Sequence, residues 1–250
     1  MKKYKIGIAL GGGGARGFAH LGVLKALEEK GIQPDIISGV SAGALVGVFI
    51  ASGMKPDDIF TMMKENKFND YAQVIVPKNG LLSLDRTREL LKKHLSVDDF
   101  ADLKIPLYVA TTNLFEGKIE YFNKGDLTTI IQASMSIPVL FSPVKIGQSL
   151  YADGGIMDNL PVEPLIGKCR KIIAVNISPL QTILKIQNLI DAATRAFQLS
   201  VNATTKGIDG KCDILIEPEK LSKFELLNTS HVDEMFEIGY EYCKNLKIAL

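Results

Sequence analysis

Cysteine is scarce in this sequence, and neither sign of charge prevails. The three cysteines, Cys169, Cys212 and Cys243, are widely separated and form no C-x-x-C pair, which argues against a disulfide framework and against a zinc site. The formal net charge of +1 gives no electrostatic footprint for nucleic acid. A calcium-loop pattern is also missing. We therefore expect neither a nucleic-acid partner nor a metal or other cofactor.

Long apolar runs are missing as well. No stretch reaches the roughly 18 consecutive apolar residues of a transmembrane helix. The short run at residues 6–10 is cut off by four glycines and is too short for a secretory signal. We therefore predict a cytoplasmic protein, for which peripheral contact with a membrane stays open. The 250 residues, 46% of them hydrophobic, contain no repeat, linker or low-complexity segment, so we expect a single domain over residues 1–250.

The first forty residues alternate between strand and helix signals. Residues 5–10 form an apolar run typical of a buried strand, residues 11–17 are rich in glycine, and residues 18–30 carry leucine at helical spacing. A second apolar run at 36–38 completes a strand–helix–strand unit, which favours a parallel sheet with a right-handed crossover. Further strands are predicted at 105–113, 118–122, 150–153, 171–177 and 212–216, and further helices at 42–54, 56–67, 85–94, 128–135, 184–205 and 232–246, with another beginning at Asp158.

The turn Gly39-Val40-Ser41-Ala42-Gly43 joins an apolar strand directly to an apolar helix. This G-x-S-x-G pattern places a serine on a strained strand-to-helix corner, with its oxygen pushed outward. Gly39 and Gly43 suit such a corner because a Cβ on either side would meet the neighbouring backbone. The N–H groups at the start of the helix also point toward the serine. We therefore predict that Ser41 is a nucleophile.

The glycine-rich loop has two interpretations. Gly12, Gly14 and Gly17 form G-x-G-x-x-G between a predicted strand and a predicted helix, which is the context of a dinucleotide-binding loop. The acidic residue of such a site should stand at the end of the second strand, but Asp35 precedes that strand and the Ser41 turn occupies its end. We favour the other interpretation, in which glycine N–H groups form an oxyanion hole, and keep nucleotide binding as an alternative.

A carboxylate that is able to serve as the base follows a later strand. Asp153, Gly154 and Gly155 come directly after the apolar run at 150–152, which places an acid on a loop that other backbone segments approach closely. Taken alone, an Asp-Gly turn is one of the commonest turn signals. It becomes informative here because a serine needs a base to remove its proton.

Three histidines compete with this aspartate for the role of base. His20 lies among apolar neighbours on the first helix, and His94 ends a charged amphipathic helix, so both suit structural roles. His231 is the serious rival, because the order Ser41, Asp153, His231 is that of the α/β-hydrolase triad. Its surroundings, however, resemble a helix cap, and no histidine precedes the glycines as in the H-G-G-G oxyanion loop of those enzymes.

Two further segments have less specific signals. Ser134 and Ser136 make no tight corner, so we predict structural roles for both. Residues 69–84 are loop-like and apolar, which suits either a lid near the site or a packed connection.

Four motifs in this order resemble the patatin-like phospholipases, and more narrowly the small bacterial members similar to the neuropathy-target-esterase catalytic domain. They are the glycine loop at 12–17, the serine turn at 39–43, the segment 133–138 and the Asp-Gly-Gly turn at 153–155. The resemblance spans about residues 5–180. It implies a three-layer α/β/α sandwich with a mainly parallel central sheet. The third turn is often D-G-A in that family and is D-G-G here, a minor departure.

The resemblance also implies roles for individual residues. Ser41 is expected to be the nucleophile and Asp153 the base of a dyad without histidine, with an oxyanion hole built from Gly12, Gly13, Gly14 and Arg16. The expected activity is hydrolysis of lipid carboxylic esters. An ordinary aspartate, with a pKa near 4, is too weak a base at neutral pH, so burial must raise the pKa of Asp153. A non-catalytic scaffold that binds acyl chains or membranes is the third hypothesis.

Overall fold

The computed structural model describes residues 3–66, 73–74 and 82–248. Within these residues the strands are β1 (Tyr4–Leu10), β2 (Ile36–Gly39), β3 (Gln73–Val74), β4 (Leu82–Ser83), β5 (Leu107–Asn113), β6 (Lys118–Phe122), β7 (Val144–Ile146), β8 (Ser149–Asp153), β9 (Cys169–Val175) and β10 (Ile214–Ile216). The α-helices are α1 (Phe18–Glu29), α2 (Ala42–Ser52), α3 (Pro56–Glu65), α4 (Asp85–His94), α5 (Leu127–Ser134), α6 (Leu189–Thr204) and α7 (Val232–Asn245).

A mixed sheet forms the centre of the fold, with strand order β10-β9-β1-β2-β5-β8-β7 and β6 also paired with β5. Strands β10, β9, β1, β2 and β5 are parallel to one another, whereas β6 and β8 are antiparallel to β5. The parallel strands are joined by helical crossovers, as the strand–helix–strand signals predict. The predicted class, α/β with a mainly parallel central sheet and flanking helices, is confirmed.

Apolar residues of the parallel strands alternate between two cores. Ile8 and Leu10 of β1 belong to the larger core, to which helices α1–α5 and α7 contribute, whereas Ala9 belongs to a smaller core on the opposite face. Successive side chains of a strand point to opposite faces of the sheet, so a central strand with both faces covered must be apolar throughout. This explains why the central parallel strands appear in the sequence as uninterrupted apolar runs.

Two segments differ from the expected helices and loops or lie outside the described residues. The helix expected to begin at Asp158 does not form, and the chain instead makes a short 3-10 helix at Glu163–Leu165. The physical reason is that the backbone of Asn159 bonds to other parts of the fold: its N–H donates to Thr204 Oγ1 and its carbonyl accepts from Gly12. Most of residues 69–84, the expected lid or connection, lies outside the described residues.

None of the helices within residues 3–66 and 82–248 is both long enough and apolar enough to cross a membrane.

Candidate active site

Ser41 occupies a sharp corner between β2 and α2. Its φ of 53° and ψ of −123° lie in a region that residues other than glycine rarely adopt. An added Cβ on Gly43 would collide with the backbone oxygen of Leu10, so β1 approaches the corner as closely as only glycine permits. Strained torsions of this kind persist when the surrounding structure enforces them. Only 6% of Ser41 is exposed, and it lies at the positive end of the α2 dipole.

Ser134, at the end of α5, makes hydrogen bonds that link this corner to the sheet. Its hydroxyl accepts a hydrogen bond from the N–H of Ser41 at 2.9 Å and donates one to the carbonyl of Ala110 in β5 at 2.7 Å. Ser134 is fully buried. The serine thus links the strained residue to the central sheet.

Strand β8 places Asp153 near the corner that carries Ser41. Because β8 is antiparallel to β5, its last residue, Asp153, lies opposite Thr111, two positions beyond the Val109 that pairs with Gly39 of β2. Asp153 is completely buried, and its Oδ1 accepts the N–H of Gly155 at 2.8 Å. Burial raises the pKa of the Asp153 carboxyl to about 7, against the opposing effects of the Ser41 hydroxyl and the Gly155 N–H.

The contact between Ser41 and Asp153 is close but not ideal. The hydroxyl of Ser41 is near enough to lower the pKa of the carboxyl, yet Oδ2 of Asp153 is buried without a well-formed hydrogen bond to any described residue. Catalytic hydrogen bonds are often long or poorly aligned before a substrate binds, and an unpartnered buried oxygen leaves room for such a bond to tighten.

The glycine-rich loop lies against the serine. An added Cβ on Gly12 would stand 3.2 Å from the Cβ of Ser41. The N–H of Gly12 donates to the carbonyl of Asn159 at 3.2 Å, and its own carbonyl accepts from Ser178 Oγ at 2.6 Å and from Asn159 Nδ2 at 3.3 Å. Gly12 therefore fixes the position of the loop, while its N–H is already used. The side chain of Asn159, which bonds to the loop, also lies beside Gly155.

The next two glycines are the ones with available donors. The N–H groups of Gly13 and Gly14 donate to no residue within the described parts of the chain, and both residues line the pocket above Ser41. Gly14 has a φ of 56°, and a Cβ there would collide with the backbone oxygen of Leu226. Farther along, Gly17 packs so tightly on α2 that an added Cβ would lie 2.9 Å from the Cβ of Ala42.

Arg16 is buried beside this loop and binds backbone oxygens. Its Nε and Nη2 donate to the carbonyl of Phe224, at 3.1 Å and 2.6 Å, and Nη1 donates to the carbonyl of Pro179 at 3.4 Å. Burial lowers the pKa of the guanidinium to about 10. The group is therefore still a cation at neutral pH, and it borders the pocket that contains Ser41.

A pocket of about 530 Å³ opens above Ser41. Its floor includes Gly13, Gly14 and Asn159, and its walls come largely from later parts of the chain. Apolar residues of the walls include Ile137, Ile183, Ile190, Phe197, Val201 and Leu226, and polar or charged residues such as Gln181, Lys185, Asp191 and Arg195 also line the pocket. A cavity that combines apolar walls with convergent polar groups is typical of a site for a small or chain-like ligand.

None of the three histidines lines this pocket. His20 is fully buried, and its Nε2 lies 2.7 Å from the carbonyl oxygen of Gly11; burial lowers its pKa to about 4. Burial also lowers the pKa of His94. His231 precedes α7 with its side chain 57% exposed, its Nδ1 3.8 Å from Glu234 and its ring beside Phe224.

Asp35, the acid considered for a nucleotide site, lies at the opposite end of the sheet. Its Oδ2 accepts the N–H groups of Lys5 and Ile6 at the start of β1, whereas the glycine loop follows the end of β1. A group at one end of a strand does not reach a ligand at the other. Among the residues that the structure describes, no cluster of three or more histidine, cysteine or acidic side chains suits a metal ion either.

Sequence reasoning missed the supports of the site. Ser134 was assigned a structural role with no partner, Asn159 was assigned to a helix start, and Ser178 was not singled out. Each makes its contact with residues more than 90 positions away in the chain. No local pattern contains that information, although the Asp-Gly-Gly turn pointed to the neighbourhood of Asn159.

Residues 8–166 match the family described as patatin-like phospholipase. The match covers more than half of the chain, and all the motifs at 12–17, 39–43 and 153–155 fall inside it. The chain therefore belongs to the patatin-like phospholipase family.

Individual proteins with similar sequences or folds are consistent with this family assignment. The chain is 34% identical over 166 residues to an uncharacterized NTE family protein of Mycobacterium bovis, covering 65% of this chain and 46% of that protein. It is 27% identical over 270 residues to lysophospholipase NTE1 of Saccharomyces cerevisiae, covering 95% of this chain and 16% of that protein. The chain thus spans less than half the length of either relative. The crystal structure of VipD from Legionella pneumophila has a similar fold, with a TM-score of 0.55 and 17% identity over 96% of this chain and 66% of that one.

Proposed function

We propose that this protein is a serine acyl hydrolase of the phospholipase, lysophospholipase or esterase type, which cleaves carboxylic esters of lipids. The observation that carries the proposal is the pairing of Ser41, on a strained corner, with Asp153, a buried carboxyl whose pKa is about 7. A carboxylate with that pKa is a much better base at neutral pH than an exposed one. The names of the relatives, above all lysophospholipase NTE1, support a lipid substrate.

In the proposed mechanism, Asp153 accepts the proton of the Ser41 hydroxyl as the serine oxygen attacks the ester carbonyl. The carbonyl oxygen becomes an oxyanion, which accepts hydrogen bonds from the N–H groups of Gly13 and Gly14. Collapse of this intermediate expels the alcohol, which takes the proton from Asp153, and leaves an acyl-serine. Asp153 then takes a proton from water, whose oxygen attacks the acyl group, and the proton returns to Ser41 when the fatty acid leaves.

The surroundings of the dyad support this assignment of roles. Each oxyanion donor in such a site is typically worth about 3 kcal/mol in the activation barrier, and the two glycine N–H groups are free to act. Gly12 holds the loop in place through Asn159 and Ser178. The cation of Arg16 adds positive potential near the oxyanion, although its donors are engaged with backbone oxygens.

The pocket indicates the kind of substrate. Its aliphatic and aromatic walls suit an acyl chain, and a lipid ester resides in a membrane, so the substrate implies peripheral contact with a membrane surface. We include that contact in the proposal.

The test combines a covalent label with three variants. The wild-type protein is treated with a fluorophosphonate, and the labelled peptide is mapped; hydrolysis of p-nitrophenyl butyrate is measured in parallel. We expect the label on Ser41, and we expect Ser41→Ala and Asp153→Asn each to reduce hydrolysis by a factor of roughly a thousand or more. His231→Ala is the matched control and should retain wild-type activity.

The same experiment separates the alternatives. Loss of activity in His231→Ala with retention in Asp153→Asn would favour the triad with histidine. Lipid binding without turnover in the wild-type protein, unchanged by Ser41→Ala, would favour a non-catalytic scaffold. Saturable binding of NAD, FAD or ATP together with an unlabelled Ser41 would favour a nucleotide-binding loop.

A further inference from the structure

An unusual number of aliphatic side chains project into solvent along one short segment. Among the described residues, six of the fourteen large apolar side chains that are well exposed fall within residues 180–190. They are Leu180, Ile183, Leu184, Ile186, Leu189 and Ile190. We call residues 180–190 the apolar rim. Concentrated exposure of this kind marks an interaction surface, whereas single exposed apolar residues are normal.

The apolar rim lies at the opening of the pocket above Ser41. Leu180, Ile183 and Ile190 line the pocket, as does Lys185 at its opening, while Leu184, Ile186 and Leu189 do not. Leu184 is fully exposed and Leu189 is 82% exposed. The segment therefore has one set of side chains that faces the cavity and another that points away from the protein. A surface that covered the outward set would meet the opening of the pocket.

Charge and composition distinguish between the surfaces that could cover the rim. The only charged residue between positions 179 and 190 is Lys185, and there is no carboxylate. The next acid, Asp191, lies in the first turn of α6, where its Oδ2 accepts the N–H of Gln187 and its own N–H donates to the capping side chain of Asn188. Within the rim itself the one charge is therefore positive, which matches the phosphates of lipid headgroups, while two carboxylates, Asp191 and Glu225, line the pocket behind it.

A protein partner would suit the composition less well. Protein interfaces are enriched in aromatic residues, methionine and arginine, and depleted in lysine. The rim contains only leucine and isoleucine as large apolar residues, together with one lysine. Aliphatic side chains beside a basic residue are instead typical of segments that enter the boundary between headgroups and acyl chains.

We propose that the apolar rim docks on the surface of a phospholipid bilayer. Leu184, Ile186 and Leu189 enter the boundary between headgroups and acyl chains, and Lys185 lies among the phosphates. The pocket then opens toward the lipid, so that an acyl chain passes from the bilayer along Ile183 and Ile190 toward Ser41. This inference rests on the proposed function for its substrate, but the docking itself does not require catalysis.

The first experiment measures binding without turnover. The Ser41→Ala protein, which leaves the lipid intact, is floated with vesicles of phosphatidylcholine and phosphatidylglycerol, alone and with Leu184→Asp or Leu189→Asp added. We expect the vesicle partition coefficient to fall roughly tenfold for each aspartate. Because both leucines are almost fully exposed, the melting temperature should not change.

Ile166→Asp is the matched control. Ile166 is 43% exposed, and it precedes the start of β9, whose first residue pairs with Tyr4 at the end of the sheet away from Ser41. The same apolar-to-acid change is therefore made on the far side of the fold, and flotation should match that of the parent.

The second experiment separates docking from chemistry. In the active protein, Leu184→Asp should reduce hydrolysis of vesicle phospholipid roughly tenfold and leave hydrolysis of soluble p-nitrophenyl butyrate unchanged. If the variants float like the parent, docking through the rim is wrong while ester hydrolysis stands. If the wild-type protein hydrolyses no ester but the aspartate variants lose flotation, docking through the rim is supported and the proposed function is wrong. The proposal would be overturned if the Ser41→Ala protein did not bind vesicles and instead formed a dimer that Leu184→Asp dissociates. The rim would then be a contact between two copies of this chain.

Discussion

At the scale of single residues, the buried carboxyl of Asp153 is the group on which the proposed chemistry depends. Its pKa is raised to about 7, chiefly by burial. A base acts only in its ionised form, so the proportion of active protein should rise with pH until that pKa is passed. Near neutral pH, the activity should therefore change steeply with pH.

We therefore expect kcat/KM for a soluble ester to increase with pH, reach half its maximum near pH 7 and level off above it. At about two pH units below that pKa, the value should be roughly a hundredfold lower. A pH–rate profile over the range in which the protein stays folded provides the measurement. A profile that is flat down to the ordinary pKa of an exposed aspartate would contradict the assignment of Asp153 as base.

Ser41 itself is expected to weaken the folded state. Its φ of 53° is unfavourable for any residue with a Cβ, and such strain typically costs about 1–3 kcal/mol. Glycine adopts these torsions readily. We predict that Ser41→Gly unfolds at a higher denaturant concentration than Ser41→Ala, which lacks the hydroxyl but keeps the strain. Equal midpoints for the two inactive variants would show that the corner is not strained in solution.

At the scale of elements, the corner depends on a contact between α5 and the start of α2. The Ser134 hydroxyl satisfies the N–H of Ser41 and reaches the carbonyl of Ala110. Removal of the hydroxyl leaves two buried backbone groups without their partner, and each such group typically costs about 1–3 kcal/mol. The resulting relaxation should displace the Ser41 oxygen from Asp153.

We predict that Ser134→Ala lowers kcat/KM roughly tenfold to a hundredfold, since a small misplacement of a catalytic group has effects of that size. The rate of fluorophosphonate labelling should fall with it. The control is Ser136→Ala, two residues farther on, whose hydroxyl donates to Gln132 instead. If the two variants lose the same activity, the contact with Ser41 is not what matters.

Elements differ in how well the sequence predicts them. The unit β1-α1-β2-α2 agrees with the expected strand at 5–10, helix at 18–30, strand at 36–38 and following helix to within one or two residues. Each of these elements has its own local signal: an apolar run, helical periodicity or a glycine stop. The mainly parallel sheet follows from their alternation, so the class of fold was predictable.

Other parts depend on contacts that no local pattern records. The expected helix at Asp158 fails because Asn159 bonds to Gly12 and Thr204. The pocket wall at 179–188 has no regular secondary structure. The helix expected at 184–205 begins only at Leu189, where the side chain of Asn188 accepts the N–H of Asp191 and caps it. Motifs therefore predicted which residues to consider as nucleophile and base, whereas the groups that hold them and the walls of the pocket came only from the tertiary structure.

At the scale of the whole molecule, Arg16 connects the glycine loop near the start of the chain to segments near its end. Its guanidinium binds the carbonyls of Phe224 and Pro179. Hydrogen bonds from charged donors typically contribute about 1.5–3 kcal/mol each. The guanidinium therefore holds together two pocket walls that are far apart in sequence.

We expect Arg16→Ala to reduce the free energy of unfolding by roughly 2–5 kcal/mol, because it also leaves buried carbonyls unpaired. Arg170→Ala, at an exposed position of β9, should change it by less than about 0.5 kcal/mol. Urea denaturation of the three proteins gives the comparison. Indistinguishable midpoints would show that Arg16 does not link these segments.

The walls of the pocket have a different origin along the chain from its floor. The matched family region ends at residue 166, whereas most apolar wall residues, at 179–201 and 224–227, come after it. Under the proposed function, the reacting groups and most of the residues that would contact the acyl chain are therefore encoded in successive stretches of sequence. Under the same proposal, exchange of the later stretch for that of a relative should change the preferred acyl-chain length and leave Ser41 and Asp153 in place.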